Sequence, residues 1–196
     1  MDKTHFELLT KIHVIHILTQ GALVFFNQGL EKSQKANGVR LCFTDRVTGE
    51  DILNFCVGTF PLNRSEEYFQ SSRAKAKQVS GPQGTLSSYG YKGDVRRGGL
   101  QGALYGVGVS GFNLNDQDEA VSAAIIFVVE KGISVLDNTN YQYMDVFRKE
   151  HYKKLESLIK KPGRNDNLIN MMDYLLKDQS PLSRCGYAGF KEKVFV

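Results

Sequence analysis

Three acidic side chains that follow a glycine-dense segment are the groups of this chain best placed to do chemistry. Residues 98–111 read GGLQGALYGVGVSG, and Asp116, Asp118 and Glu119 follow at what reads as a helix start. Glycine gives up backbone entropy and packs no side chain, so the segment indicates close approach by another backbone, a ligand or a subunit. The carboxylates then either line a pocket together with this segment or cap the helix.

The candidate ligand-binding residues lie in this segment, at the helix start and on one upstream helix. A helix N-terminus attracts anions, but here the acidic residues already supply negative charge. The upstream lysine sits between Arg73 and Lys77, which is also typical of a solvated helix face. The candidates are Lys75, Gly98, Gly99, Ser110, Gly111, Gln117, Asp118 and Glu119.

Two other motifs suggest nucleotide or metal binding but lack the context that these functions need. Residues 106–111 fit the dinucleotide pattern G-x-G-x-x-G, yet residues 112–115 separate them from the helix, and the preceding strands read as hairpins. His13 and His16 have a spacing that suits metal or haem-iron ligation, yet no Glu or Cys completes a ligand set nearby. We therefore predict no metal site and no Rossmann site, and the sequence assigns no catalytic residue.

Alternating helical and strand patterns predict the elements that position these residues. The helix over 116–131 is apolar on all sides in its second half, so it must be buried or pack against another subunit. Such a mixture of layers predicts an α+β fold. The predicted elements are helices over 6–36, 65–79, 116–131, 141–161 and 168–176, a hairpin over 39–45 and 52–57, and strands near 94–97 and 103–110.

Composition and charge narrow the class of protein. With 41% hydrophobic and 23% charged residues, the chain reads as soluble and globular. The net charge of +4 comes entirely from residues 141–196 and is small, which argues against nucleic-acid binding. The sequence shows no uninterrupted apolar run of membrane-spanning length and no signal-peptide pattern at its start, so we expect no membrane span and a cytoplasmic location.

The order of motifs resembles the GlcG/HbpS-like family, also called the haem-degrading domain family. The resemblance rests on the Gly-Gly pair 98–99, Gly-Val-Ser-Gly 108–111 and Gln-Asp-Glu 117–119. It extends upstream to the lysine–alanine helix around Lys75 and covers roughly residues 14–132. Two differences stand out: Gln101 replaces the proline usual in the family, and the spacer between residues 99 and 108 is shorter.

The resemblance implies a profilin-like fold, with a central antiparallel sheet flanked by helices, over a domain of residues 1–135. The helical patterns beyond this domain predict a C-terminal extension over 136–196 that packs on the domain or on a neighbouring subunit. The apolar helix and the glycine-dense strand predict a homo-oligomer, as does the resemblance. The resemblance also implies a protein that binds a small molecule, of haem or corrinoid type or a small carboxylate, and that assists haem degradation. Lys75, on the helix that borders the family's pocket, would then contact a carboxylate or propionate.

Two alternatives to this function stay open. One is a non-catalytic assembly or protein-interaction module that keeps the fold. The other is an enzyme acting on a small carboxylate through Lys75, Asp118 and Glu119.

Overall fold

A four-stranded antiparallel sheet in the order β2-β1-β4-β3 forms the centre of the molecule, with helices on both sides. The structure, a computed structural model, describes residues 3–89, 97–132, 145–161, 164, 166–175 and 177. The strands are β1 Gly38–Asp45, β2 Asp51–Gly58, β3 Gly99–Gln101 and β4 Tyr105–Ser110. The helices are α1 Lys3–Phe26, α2 Leu62–Gln78, α3 Asn115–Ile125, α4 Asp145–Ile159 and α5 Asp166–Leu175, with a 3-10 turn at Lys32–Gln34 and a π-helical segment at Ile126–Gly132.

The fold class predicted from the sequence is confirmed: the chain is α+β, with helices around a central antiparallel sheet. The hairpin falls where the alternation placed it, since β1 pairs with β2 from Gly38 opposite Gly58 to Phe43 opposite Leu53. The first helix, however, ends at Phe26 instead of continuing to residue 36. The strand expected near 94–97 falls largely on residues outside the described part, and the strand that precedes β4 is β3.

The glycines of β4 leave room for helix α2, which crosses the sheet very closely. A Cβ atom placed on Gly108 would lie 2.6 Å from the backbone nitrogen of Ala76 and would also collide with the carbonyl oxygen of Ser72. Heavy atoms at such distances overlap, so only glycine lets the α2 backbone approach the strand this closely. Of the three explanations for the glycine-dense segment, a neighbouring backbone is the one observed here.

The other face of the sheet carries the apolar core. Leu41 and Phe43 of β1 and Val107 and Val109 of β4 belong to this core and are fully buried. Helices α1 and α3 cover this face, and the π-helical segment after α3 is buried by the same chain, with Val128 at 0% exposure. The apolar helix that prompted the homo-oligomer prediction is therefore covered within one chain, and the oligomer stays a prediction.

Both C-terminal helices, α4 and α5, contact the rest of the fold through their side chains. Helix α5 packs on α1 and α3 and buries Leu168, Met171, Met172 and Leu175. In α4, the buried His151 ring donates through Nε2 to the carbonyl oxygen of Gln101 at 2.9 Å, and burial lowers the pKa of His151. The division into residues 1–135 and 136–196 stays a prediction.

One described helix is long and apolar enough to cross a membrane by length and composition. It covers His5–Phe26 with a mean hydropathy of 1.4, and 50% of it is buried within the protein. A buried core helix passes the same test, so the expectation of no membrane span stays a prediction, as does the cytoplasmic location.

Candidate functional site

Lys75 of α2 and Asp118 of α3 form a buried ion pair at the edge of the glycine segment. The Lys75 ammonium donates to Asp118 Oδ2 and to the carbonyl oxygen of Val109, both at 2.7 Å. Only 2% of the Lys75 side chain and 4% of the Asp118 side chain are exposed. The solvated helix face considered for Lys75 is therefore wrong, because the lysine reaches inward between the sheet and α3.

The backbone around Asp118 is arranged to hold its carboxylate. The amide of Phe112 donates to Asp118 Oδ1 at 3.2 Å. Burial raises the pKa of Asp118 to about 6, although the neighbouring Lys75 ammonium acts in the opposite direction. Gly98 passes directly over the pair with φ of +121°, and a Cβ there would lie 2.7 Å from Asp118 Cβ and 2.9 Å from Lys75 Nζ. Only glycine combines that φ with that space.

Glu119 forms a second buried pair, with an arginine from beyond α4. Glu119 Oε1 accepts from Arg164 Nη2 and from Ser87 Oγ, each at 2.8 Å. Glu119 is 1% exposed, and among the described residues neither its second oxygen nor Arg164 Nε has a hydrogen-bond partner. The carboxylate thus joins α3 to two other segments.

An aromatic ring completes this second cluster. The guanidinium carbon of Arg97 lies 3.6 Å from the centroid of the Tyr89 ring, and that of Arg164 lies 4.4 Å from it. Both distances are within the range of cation–π attraction. The Ser87–Tyr89 segment is therefore held against α3 through Glu119 and against both arginines through the ring.

The remaining candidate residues have structural partners. Gln117 Oε1 accepts from the amide of Leu114 at 3.3 Å, so Gln117 closes the start of α3. Ser110 Oγ donates to Ser71 Oγ of α2 at 3.1 Å, and Gly99 packs against the Lys75 carbonyl. Gly111 has φ of +142° and lies against the Gly38 carbonyl.

These positions separate the candidates into two groups. Lys75, Gly98, Gly99 and Asp118 meet at one point, and Glu119 turns toward Arg164 instead. The interpretation of Asp118 and Glu119 as simple helix caps is wrong, because the structure pairs each with a buried cation.

Sequence reasoning missed a third buried carboxylate, Glu130. Its oxygens accept from the amides of Ala103 at 2.6 Å and of Leu104 and Tyr105 at 3.1 Å, and from the Tyr152 hydroxyl at 3.0 Å. Burial raises its pKa. A single acidic residue after the apolar run at 123–129 was the available signal for a buried, hydrogen-bonded carboxylate.

An open groove lies beside the Ser87–Glu119 contact. It has a volume of about 380 Å³ and is lined by Leu86, Lys153, Lys154, Ser157, Leu158 and Lys161. All three lysines are exposed. Leu86 directly precedes Ser87, so the groove and the buried cluster share one segment of chain.

The groups gathered in this region are charged: buried ion pairs join Lys75 to Asp118 and Arg164 to Glu119, and exposed lysines line the groove. The described residues contain no group of three or more His, Cys, Asp or Glu side chains that could hold a metal ion.

Comparison of the chain with protein-family models, curated proteins and solved structures found no match in any of the three.

Proposed function

We propose that this protein binds a small acidic molecule with an apolar body, in the manner of the GlcG/HbpS-like family that its motifs resemble. Haem-type and corrinoid-type ligands and small carboxylates belong to this class. The observation that carries the proposal is the groove, where lysines surround two leucines. Ammonium groups pair with carboxylates, while Leu86 and Leu158 offer apolar surface.

The positions of the lysines in and after α4 suit a ligand with more than one acidic group. Lys153 and Ser157 are four residues apart and lie along one line of the α4 surface, and Lys161 follows two residues after the helix ends at Ile159. Lys154 and Leu158 form the neighbouring line. The groove volume of about 380 Å³ lies within the range of about 300–1,000 Å³ that is usual for small-molecule sites.

The buried pairs favour binding over catalysis. Lys75, Asp118 and Glu119 are the groups expected to act in an enzyme for small carboxylates, and each is at most 3% exposed. Each also has an oppositely charged partner within 2.8 Å. A general acid or base must reach the proton that it transfers, and these three side chains are buried. Glu119 instead holds Ser87, which directly follows the groove residue Leu86.

Haemin titration followed at the Soret band tests this proposal. We expect saturation near one haem per chain, and a loss of affinity of about tenfold for Lys153→Glu/Lys161→Glu, because each exposed ion pair contributes up to about 1 kcal/mol and about 1.4 kcal/mol is tenfold in affinity. Lys149→Glu/Lys160→Glu is the matched control, since it makes the same change of charge at two exposed lysines that do not line the groove. Absorbance that never saturates, or equal affinity in all three proteins, would contradict the proposal.

A second candidate function is a non-catalytic oligomeric assembly or protein-interaction module. The observation that favours it is strand β2, whose outer edge pairs with no other described strand. Light scattering at micromolar concentration that returns the 22.0 kDa of one chain would exclude the oligomeric assembly.

A further inference from the structure

The two edges of the sheet differ in how they are covered. Beside β3, the amide of Ser88 donates to the Gly99 carbonyl, and the amide of Gln101 donates to the Leu86 carbonyl, each at 3.0 Å. Segment 86–88 therefore covers that edge. Strand β2 is the other edge, and among the described residues only β1 pairs with it.

Strand β2 lacks the features that usually protect an exposed edge. Proteins place proline, lysine or bulges there to prevent pairing with another chain. Residues 51–58 read DILNFCVG, with no proline and no lysine. The irregularity in its pairing with β1 lies near Asp51, so the register from Leu53 to Gly58 is regular.

The charge on β2 is already neutralised within its own chain. Asp51 is the only charged residue of the strand, and its carboxylate lies 2.6 Å from Arg73 Nε and 3.4 Å from Lys77 Nζ. A second copy of the strand would therefore meet no uncompensated like charge. The strand is also rich in apolar and aromatic residues, which favour β-pairing.

We propose that β2 pairs antiparallel with β2 of a second copy of this chain, joining two four-stranded sheets into one of eight strands. An antiparallel pair of identical strands around a two-fold axis presents the same surface from both sides, so the edge is its own complement. Backbone hydrogen bonds along the strand supply the affinity. The inference rests on oligomeric assembly, the second candidate function, and is independent of ligand binding in the groove.

Substitution of the exposed Cys56 by lysine tests the interface. Cys56 is an exposed side chain on β2, and lysine is an edge-protecting residue that places a positive charge on this edge of each copy. We expect the mass from light scattering to fall from about 44 kDa, twice the 22.0 kDa of one chain, to that of one chain. The control Ala74→Lys adds the same charge at an exposed position of α2 and should leave the mass unchanged.

Hydrogen exchange of the unmodified protein gives a second test that does not depend on folding of the variant. Amides of residues 51–58 should exchange more slowly at high than at low protein concentration. A wild-type protein of one-chain mass would overturn both the interface and the assembly function. An oligomer whose mass survives Cys56→Lys, with exchange of β2 independent of concentration, would overturn the interface alone.

Discussion

Replacing Lys75 by methionine should show how much the buried Lys75–Asp118 pair contributes to the free energy of unfolding. Methionine keeps much of the apolar length of the lysine but removes the ammonium, so Asp118 keeps the Phe112 amide and loses its counter-charge. Removing one partner of a buried ion pair typically costs about 3–5 kcal/mol, because the other charge stays in a low-dielectric site. At about 2–4 °C per kcal/mol for a domain of this size, the melting temperature should fall by about 10 °C at neutral pH.

The pH dependence of the destabilisation shows whether the unpaired Asp118 carboxylate causes it. Burial raises the pKa of Asp118 from 3.8 to about 6, so the folded protein holds this proton more tightly than the unfolded chain does. The contribution of Asp118 to stability is therefore most favourable below about pH 4 and declines as the pH rises through 6.

The decisive assay is urea unfolding of Lys75→Met at pH 5 and pH 8. The destabilisation should be larger at pH 8, where Asp118 is ionised, and smaller at pH 5, where protonation removes the unpaired charge. Adding Asp118→Asn to Lys75→Met should recover part of the loss at pH 8, because the carboxylate is then absent.

The exposed pair Arg64–Glu67 provides the control. Its atoms are 3.4 Å apart and its side chains are 50% and 65% exposed, so Arg64→Ala should change the free energy of unfolding by less than about 1 kcal/mol at either pH. A Lys75→Met protein as stable as the wild type, or equally destabilised at both pH values, would refute the reasoning.

Three further predictions concern other buried contacts of the fold, and each is measured by the urea midpoint. Gly108→Ala should cost about 1–3 kcal/mol, because the added Cβ overlaps the α2 backbone; an unchanged midpoint would show that α2 can move away. Arg164→Met should cost more than Arg164→Lys, since lysine restores the charge beside Glu119 but not the fork of donors; equal losses would contradict this. Glu130→Gln should cost more than Tyr152→Phe, because an amide brings donors toward backbone amides, whereas phenylalanine removes one hydrogen bond; the reverse order would be inconsistent with the proposed role of Glu130.

The elements that the sequence predicted best are those whose pattern is local. The alternation over 39–45 and 52–57 matches β1 and β2, and the predicted strand over 103–110 contains β4. In both places the side-chain period of two is set by the strand itself, and the turn between β1 and β2 is short. The α+β class follows from the order of such patterns.

The partners in the site could not be predicted from local pattern. Lys75 and Asp118 are separated by 43 residues, and only the packing of α2 on β4 brings them together. A lysine beside other basic residues on a helix is ordinarily exposed, so composition predicted the wrong environment for Lys75. Arg164 could not be predicted either, because its basic neighbours Lys160 and Lys161 indicate a solvated segment, whereas only 9% of its own side chain is exposed.

Gln101 shows how this chain departs from the motif that it resembles while keeping the region ordered. Its amide donates to Leu86, its side-chain amide donates to the Val79 carbonyl at 2.7 Å, and its carbonyl accepts from His151. A proline, which has neither an amide hydrogen nor a polar side chain, could make only the last of these bonds. Gln101 therefore joins the end of α2, the segment beside the groove and helix α4. Since Leu86 and residues of α4 both line the groove, Gln101 connects the two parts of the chain at which we propose the acidic ligand binds.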